Sequence, residues 1–513
     1  MKKESILTGA IILTFSGFIT RVIGFGYRVY MTGMIGSEGM GLYQLIMPVY
    51  LLAWTITSSG ITTTVSSLSA KYTSSKKYNE SLGVLYCAVM ITAFLSLLLE
   101  LIVLFFAHII AEFFIKDTRA CLSLKIIALC FPFMSVGSSI RGYFYGTQNT
   151  TIPAISQITE QLVRVFTVVG IFTIFTPVNL SDACGVTALG ITMGEIISFI
   201  FTLVAFINLR KTINADRLKI KPYRHLSEIF HSAIPLSSGR ILSSALSTAE
   251  NMLIPQKLIA FGYSESNALS VYGKLTGMAM PLIQFPTAIL TSFSTALIPA
   301  ISSAEDIKNN SFIKHTIEKS LLFSSCAGMW AFTVFIFLPK EVSYLLYNQS
   351  SLGNMVIKLA PICPLLYTHI TLSGILNGCR KQNIIFANNI ISSLINLLFI
   401  YVFMASTGID AFIIGLITSL VVTGAISITV IKHSADIKIS LKKCIIKPLV
   451  CSIVSGIVLK IIPFNSDSCK INILVLLAIL SFIYAVLLCA TKTISKADIV
   501  SILPKSFKRK KQA

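Results

Sequence analysis

Apolar residues dominate this chain in long runs, and polar residues cluster in the short gaps between them. The first such run covers residues 8–36, TGAIILTFSGFITRVIGFGYRVYMTGMIG. Similar runs follow at 40–68, 81–108, 121–143, 153–175, 186–208, 228–255, 268–300, 316–338, 353–377, 384–405, 410–431, 444–463 and 471–491. Each is as long as the roughly 20 residues a helix needs to cross a bilayer. None shows the strict apolar/polar alternation of a half-buried strand. Lipid leaves no water for unpaired backbone groups, so long non-alternating runs predict helices rather than an open sheet. The pattern predicts an all-α polytopic membrane protein of about 14 transmembrane helices.

The connections divide these helices. Only 209–227, LRKTINADRLKIKPYRHLS, reads as a linker, being basic, polar and interrupted by Pro222. It separates an N-terminal lobe of six helices (1–208) from a second lobe of six (228–431). An extra helix pair (432–491) and a basic tail (492–513) complete the chain. The two lobes share a pattern. Pro132, Gly142 and Gly146 recur as Pro364, Gly374 and Gly378 at a constant offset. Tyr43 and Tyr272 sit in a second match at nearly the same offset. Parallel repeats of this kind suit alternating-access transporters, with substrate bound near the bilayer midplane. A second reading of the repeated Pro and Gly is that they serve bends and close helix packing.

Charge refines the picture. The residues are 54% hydrophobic and 12% charged, about half the charged fraction of a soluble domain. With the N-terminus placed in the cytoplasm, 29 Lys and Arg fall on inner segments and 8 on outer ones. That asymmetry predicts a cell-membrane protein with both termini on the cytoplasmic side. It also explains the formal net charge of +21 as orientation and anionic-lipid contact, with no nucleic-acid partner. The 11 cysteines are scattered without a CxxC pair, so neither a disulfide framework nor a metal site is expected. No Walker loop, GxSxG elbow or HExxH is present, and no cofactor or enzyme activity is expected.

The ionisable residues inside the runs are the candidates for chemistry. An arginine at the bilayer centre costs about 2.5 kcal/mol or more, so Arg21 and Arg28 in one apolar run call for a wet cavity or a ligand. Arg28 has the alternative of snorkelling to the interface. Lys274 is the third cation. Together the three predict an anionic substrate, since Arg offers a planar fork for phosphate oxygens and Lys a compact charge. Glu160 and Arg164 stand i,i+4 and read as a charge pair. Arg240 and Glu250 read as a further pair or a gating site. Glu100 and Glu195 read as interhelical hydrogen-bond partners.

Four stretches carry a family resemblance: TRVIGFGYRVYMTGMIGSEGMGLYQ (20–44), SQITEQLVRV (156–165), GRILSSALSTAENMLIPQKL (239–258) and FPTAILTSFSTALIPAIS (285–302). They resemble the stage V sporulation protein B group, in the polysaccharide-exporter branch of the multidrug/oligosaccharidyl-lipid/polysaccharide flippase (MOP) superfamily. The resemblance covers nearly the whole chain. It implies a MATE-like fold of two six-helix lobes plus the C-terminal helix pair. It also implies translocation of a lipid-linked saccharide and a role in spore cortex peptidoglycan formation. More distantly the chain resembles MurJ-type lipid II flippases, in which arginines of helices 1 and 8 line a central cavity. Arg21 and Arg28 match that helix-1 pair with a spacing one residue longer. Lys274 falls near the helix-8 arginine but lacks its bidentate geometry. The last two helices resemble a pair that forms a lipid-tail groove in those flippases. Partners implied are a lipid II-like substrate, membrane lipids and cell-wall synthesis proteins. Two other readings stay open: a multidrug or cation antiporter of the MATE type using the acidic residues, and a non-transporting scaffold of cell-wall synthesis.

Overall fold

The computed structural model describes residues 6–175, 177, 179–212, 222–307, 309–435, 442–461 and 470–493. Residues 213–221 of the expected linker and nearly all of the basic tail lie outside these residues. The described chain forms twenty α-helices. They are α1 (Ile6–Trp54), α2 (Gly60–Ser74), α3 (Tyr78–Ile109), α4 (Ala120–Ala128), α5 (Phe131–Gly146), α6 (Thr151–Ile174) and α7 (Leu180–Thr212), then α8 (Leu226–Phe261), α9 (Glu265–Tyr272), α10 (Met280–Gln284), α11 (Thr287–Asp306), α12 (Asn310–Phe337), α13 (Pro339–Tyr347) and α14 (Gly353–Leu359), and finally α15 (Ile362–Gly378), α16 (Gln382–Leu398), α17 (Met404–Thr407), α18 (Ile409–Ala435), α19 (Lys447–Ile461) and α20 (Lys470–Ala490). No strand occurs among the described residues.

Ten of these helical stretches are long and apolar enough to cross a membrane, or twelve if each of two bent pairs is one span. The pattern of the chain predicts about fourteen, and two places account for the difference. Ile11–Ser74 is one continuous apolar stretch, divided by the backbone at Gly36, whose φ of 67° breaks the helical path. The helix α8 is long but carries Glu228, Arg240, Glu250 and many serines, which lower its hydropathy. The predicted span 268–300 is also not one rod. A turn of wider, π-type hydrogen bonding at Gly273–Ala279 and a break at Phe285–Pro286 divide it.

The fold has two compact units, Met1–Pro281 with Ser393–Gly415, and Leu282–Ser392 with Leu416–Ala513. In the first, α2, α3 and α5 enclose a core of Val65, Leu82, Leu85, Tyr143 and Phe144, which Ile229 of α8 joins. A Cβ on Gly142 would stand 2.8 Å from the Thr62 carbonyl oxygen. Only glycine lets α5 approach α2 so closely. In the second unit Gly374 of α15 meets Ser294 of α11 in the same way, a Cβ there falling 3.0 Å from the carbonyl oxygen. Both members of this contact are shifted by the repeat offset. The helix bends repeat as well: α4 meets α5 at 43°, and the Ser350–Leu359 segment meets α15 at 56°. Left-handed backbone recurs in step, at Lys116 and Asn348 and at Gln148 and Arg380. The duplication legible in Pro and Gly is therefore a duplication of packing geometry.

The last two helices belong to the second unit. There α19 packs on α12 through Ser452 and Thr333, and the wide turn Lys442–Ile446 before it adds the Cys444 carbonyl, which accepts from Ser325. Tyr484 of α20 donates to the Cys326 carbonyl at 3.0 Å, and Trp330 Nε1 donates to Ser481 at 3.0 Å. Small hydroxyl residues at such contacts let helices approach in the absence of a hydrophobic driving force.

Candidate functional site

Every sequence-predicted site residue lies in the first unit. Arg21 and Arg28 occupy α1 before the Gly36 break. Seven residues is close to two helical turns, so they share one face. Gly24 stands on that stripe and meets Gln161 of α6, where a Cβ would be 3.3 Å from Nε2. Arg21 is exposed and Arg28 half-buried. Lys274, also half-buried, sits in the wide turn Gly273–Ala279.

That wide turn is tied to the second part of α1. The carbonyl of Thr276 accepts from Gln44 Nε2 at 3.3 Å. Pro48 has no N–H, so the Gln44 carbonyl loses its helical partner. The Tyr272 hydroxyl stands 3.4 Å from that carbonyl and 2.9 Å from Asn251 Oδ1. Ser37 and Ser270 meet at 2.6 Å. The segment of Lys274 is thereby held on the segment that follows Arg28 and the Gly36 break.

The predicted charge pair is made. Arg164 Nη2 donates to Glu160 Oε1 at 2.8 Å, with side chains 14% and 19% exposed. Glu195 lies beside it on α7, buried, and accepts from the Tyr50 hydroxyl at 2.5 Å. It is an interhelical partner, as its position suggests. Glu195 Oε2, Arg164 Nε and the Tyr27 hydroxyl are buried without a hydrogen bond. Tyr27 and Tyr50 complete this cluster. Tyrosine in an apolar run is an ordinary packing residue, so no signal in the sequence distinguishes them.

Arg240 and Glu250 do not pair with each other. Arg240 Nη1 donates to the Ser59 carbonyl at 2.7 Å and to Thr63 Oγ1 at 3.1 Å. Ser59 ends the wide turn Thr55–Ser59 between α1 and α2, and its carbonyl also accepts from the Thr63 hydroxyl at 3.1 Å. Glu250 Oε1 is instead buried without a hydrogen bond. At the far end of α3, Arg119 holds Asp117 through two nitrogens, Nε at 3.0 Å and Nη2 at 2.8 Å, and Glu38 at 2.8 Å. The Asp117 hydrogen bonds, offset in part by burial and aided by Glu38, keep Arg119 more firmly protonated than usual. Among the described residues no group of three or more His, Cys, Asp or Glu could hold a metal ion.

A model of the family described as "polysaccharide biosynthesis protein" matches residues 6–305. The chain belongs to the polysaccharide biosynthesis protein family. Arg21, Arg28, Glu160, Arg164, Arg240, Glu250 and Lys274 all fall inside the family match. The chain is 27% identical to Stage V sporulation protein B of Bacillus subtilis (strain 168) over 508 residues, covering 97% of this chain and 98% of that protein. It is 23% identical to Lipid II flippase MurJ of the same organism, over 90% of this chain and 88% of that protein. In three dimensions it is similar to lipid II flippase MurJ in an inward closed conformation, with TM-score 0.68, 16% identity and coverage of 93% and 98%. It is also similar to an inward-facing multidrug resistance MATE family transporter of the MOP superfamily, with TM-score 0.66, 12% identity and coverage of 83% and 98%. The all-helical fold like that of MurJ and MATE transporters and the multi-pass membrane character expected from the sequence are borne out. Of these names, lipid II flippase and multidrug resistance transporter carry transport activities.

Proposed function

We propose that this chain is a flippase for a lipid-linked saccharide. It moves an undecaprenyl-diphosphate peptidoglycan precursor of the lipid II type to the outer leaflet of the cell membrane by alternating access, for spore cortex formation. The observation that carries the reading is the pair Arg21 and Arg28. Two cations share one face of an apolar membrane helix, one of them exposed. An arginine fork matches the oxygens of a diphosphate, and Lys274 adds a compact third charge. The names of the two Bacillus relatives support the same direction. Both termini lie in the cytoplasm, and the two six-helix lobes form the moving parts, with the helix pair as an addition.

The potential supplies a driving force. An anion leaving a negative interior gains roughly 2.3 kcal/mol per charge per 100 mV. A diphosphate can thus be driven outward without ATP.

Reconstitution with labelled lipid II and a leaflet-specific probe tests the proposal, with and without an imposed potential. The expected result is accelerated transbilayer movement in wild type, lost in Arg21→Ala and Arg28→Ala. No acceleration over empty vesicles under either condition sinks it. The second reading, a cation antiporter, draws on the acidic residues Glu160, Glu195 and Glu250. Drug efflux coupled to Na⁺ or H⁺ in the same vesicles would favour it.

A further inference from the structure

The arginine face of α1 receives a neutral polar group from a second helix. Arg21, Gly24 and Arg28 stand three and four residues apart, so they share one side of α1. Arg21 and Arg28 are two turns apart, roughly 10 Å along the axis. Gly24 lies between them, and a Cβ there would fall 3.3 Å from Gln161 Nε2 of α6. Because Gly24 has no side chain, the Gln161 amide is seated between the two cations.

Packing holds it there. The helix α1 also meets the start of α6 at Gly9, where a Cβ would stand 3.1 Å from Thr150. The two helices therefore run side by side in the same direction. On another side of α6, Gly194 and Gly190 bring α7 against the carbonyls of Glu160 and Arg164, with a Cβ falling 2.8 and 3.2 Å away. Those two residues bracket Gln161 and are themselves joined by an ion pair. Gln161 is half-buried, and no hydrogen bond engages its amide among the described residues. A side-chain amide in a membrane span gains by bonding to a neighbouring helix. This one keeps its donors and its acceptor for what enters the site.

The chemistry of the group points to the ligand. Arginine offers donors alone, which suits phosphate oxygens. The Gln161 amide carries two N–H donors and an acceptor oxygen. A fully ionised phosphate leaves that acceptor unused, whereas a sugar hydroxyl or amide both donates and accepts. We propose that Gln161 reads the saccharide: it hydrogen-bonds the hydroxyl or amide groups of the sugar beside the diphosphate, while Arg21 and Arg28 take the charge. The inference rests on the flippase reading and adds sugar recognition to the same site. Gly24 is its complement, since its bare Cα gives the amide its place.

The test uses the full chain in lipid nanodiscs and reads binding, not transport. One probe is lipid II. The other is undecaprenyl diphosphate, which has a polyprenyl tail and a diphosphate but no sugar. Gln161→Ala is expected to weaken lipid II binding about tenfold, a change of 1.4 kcal/mol, and to leave undecaprenyl diphosphate binding unchanged. Gln161→Asn, which keeps the amide, recovers part of the loss. Gly24→Ala displaces only the flexible end of Gln161, so it weakens lipid II binding by a smaller factor and again spares undecaprenyl diphosphate. Arg21→Ala weakens both. If Gln161→Ala does not fold, Gln161→Met, of similar length, takes its place. Equal weakening of both lipids in a monodisperse Gln161 variant overturns the proposal, and so does unchanged binding of both. Sugar discrimination that depends on Gln161 without any flipping of lipid II keeps the contact and removes the flippase. Arginine-dependent flipping with lipid II binding indifferent to Gln161 removes the contact alone.

Discussion

Gly41 and Gly273 pack reciprocally across the two repeats. Gly41 lies against the carbonyl of Leu269, and Gly273 lies against the carbonyl of Ser37. Each glycine and its contact exchange places under the repeat offset, which is the signature of a two-fold relation between like segments. The contact leaves no room for a Cβ on either side. It is sealed by Ser37 with Ser270 and by Gln44 with Thr276.

This seam is predicted to be an opening joint of the transport cycle. The double variant Ser37→Cys with Ser270→Cys should form a disulfide under mild oxidant, because the two oxygens stand 2.6 Å apart. Oxidation should stop lipid movement and reduction should restore it. A cross-linked protein that transports at the wild-type rate would show that the seam stays closed throughout.

The cations should differ in what they tolerate. Arg21→Ala and Arg28→Ala are expected to lower flipping at least about tenfold, equivalent to 1.4 kcal/mol, with unchanged membrane insertion. Arg28→Lys should recover only part of the loss, because the ammonium lacks the planar fork. Lys274→Arg should retain transport, while Lys274→Ala weakens it. Flipping assays on purified variants of equal monodispersity measure each of these.

The charge pair Glu160 and Arg164 is predicted to act as a unit. Arg164→Met leaves Glu160 and Glu195 together in a buried setting, and removal of one partner of a buried pair costs about 3–5 kcal/mol. The double variant Glu160→Gln with Arg164→Met should be less destabilised than Arg164→Met alone. Thermal unfolding in detergent gives the comparison. Equal losses in the single and double variants would show that the pair carries no mutual compensation.

The last helix should loosen from α12 by small steps. Tyr484→Phe removes one interhelical hydrogen bond, to the Cys326 carbonyl. Such bonds are worth about 0.6 kcal/mol on average within membranes. Gly456→Leu should cost more, since the Gly456 position lies against the Phe337 ring. Hydrogen exchange of α19 and α20 should rise more in the second variant than in the first.

Much of this architecture is legible in the order of residues. Long apolar runs dictate membrane helices because backbone polar groups cannot be left unpaired in lipid. The paired Pro and Gly positions announce the duplication, and their meaning is local: a glycine is needed wherever two backbones touch. The i,i+4 spacing of Glu160 and Arg164 also sufficed, since one helix brings them together. What spans separate helices was decided only in three dimensions. The sequence leaves Glu250 as a partner of Arg240 or of another arginine, or as a gating site, but Arg240 turns to the Ser59 carbonyl and Glu250 Oε1 is buried without a hydrogen bond. The two bent helix pairs and the broken 268–300 segment likewise depend on local irregularities that a hydropathy run does not register. Tyr27 and Tyr50 join the Glu160–Arg164–Glu195 cluster through packing alone, and the apolar cavity lined by Ala53, Val103 and Thr248 exists only because α1, α3 and α8 converge. By itself the sequence determined the membrane, the repeat and the places of the buried charges, because these follow from solvation and periodicity. The partners of those charges follow from which helices meet, and that was settled by the tertiary structure.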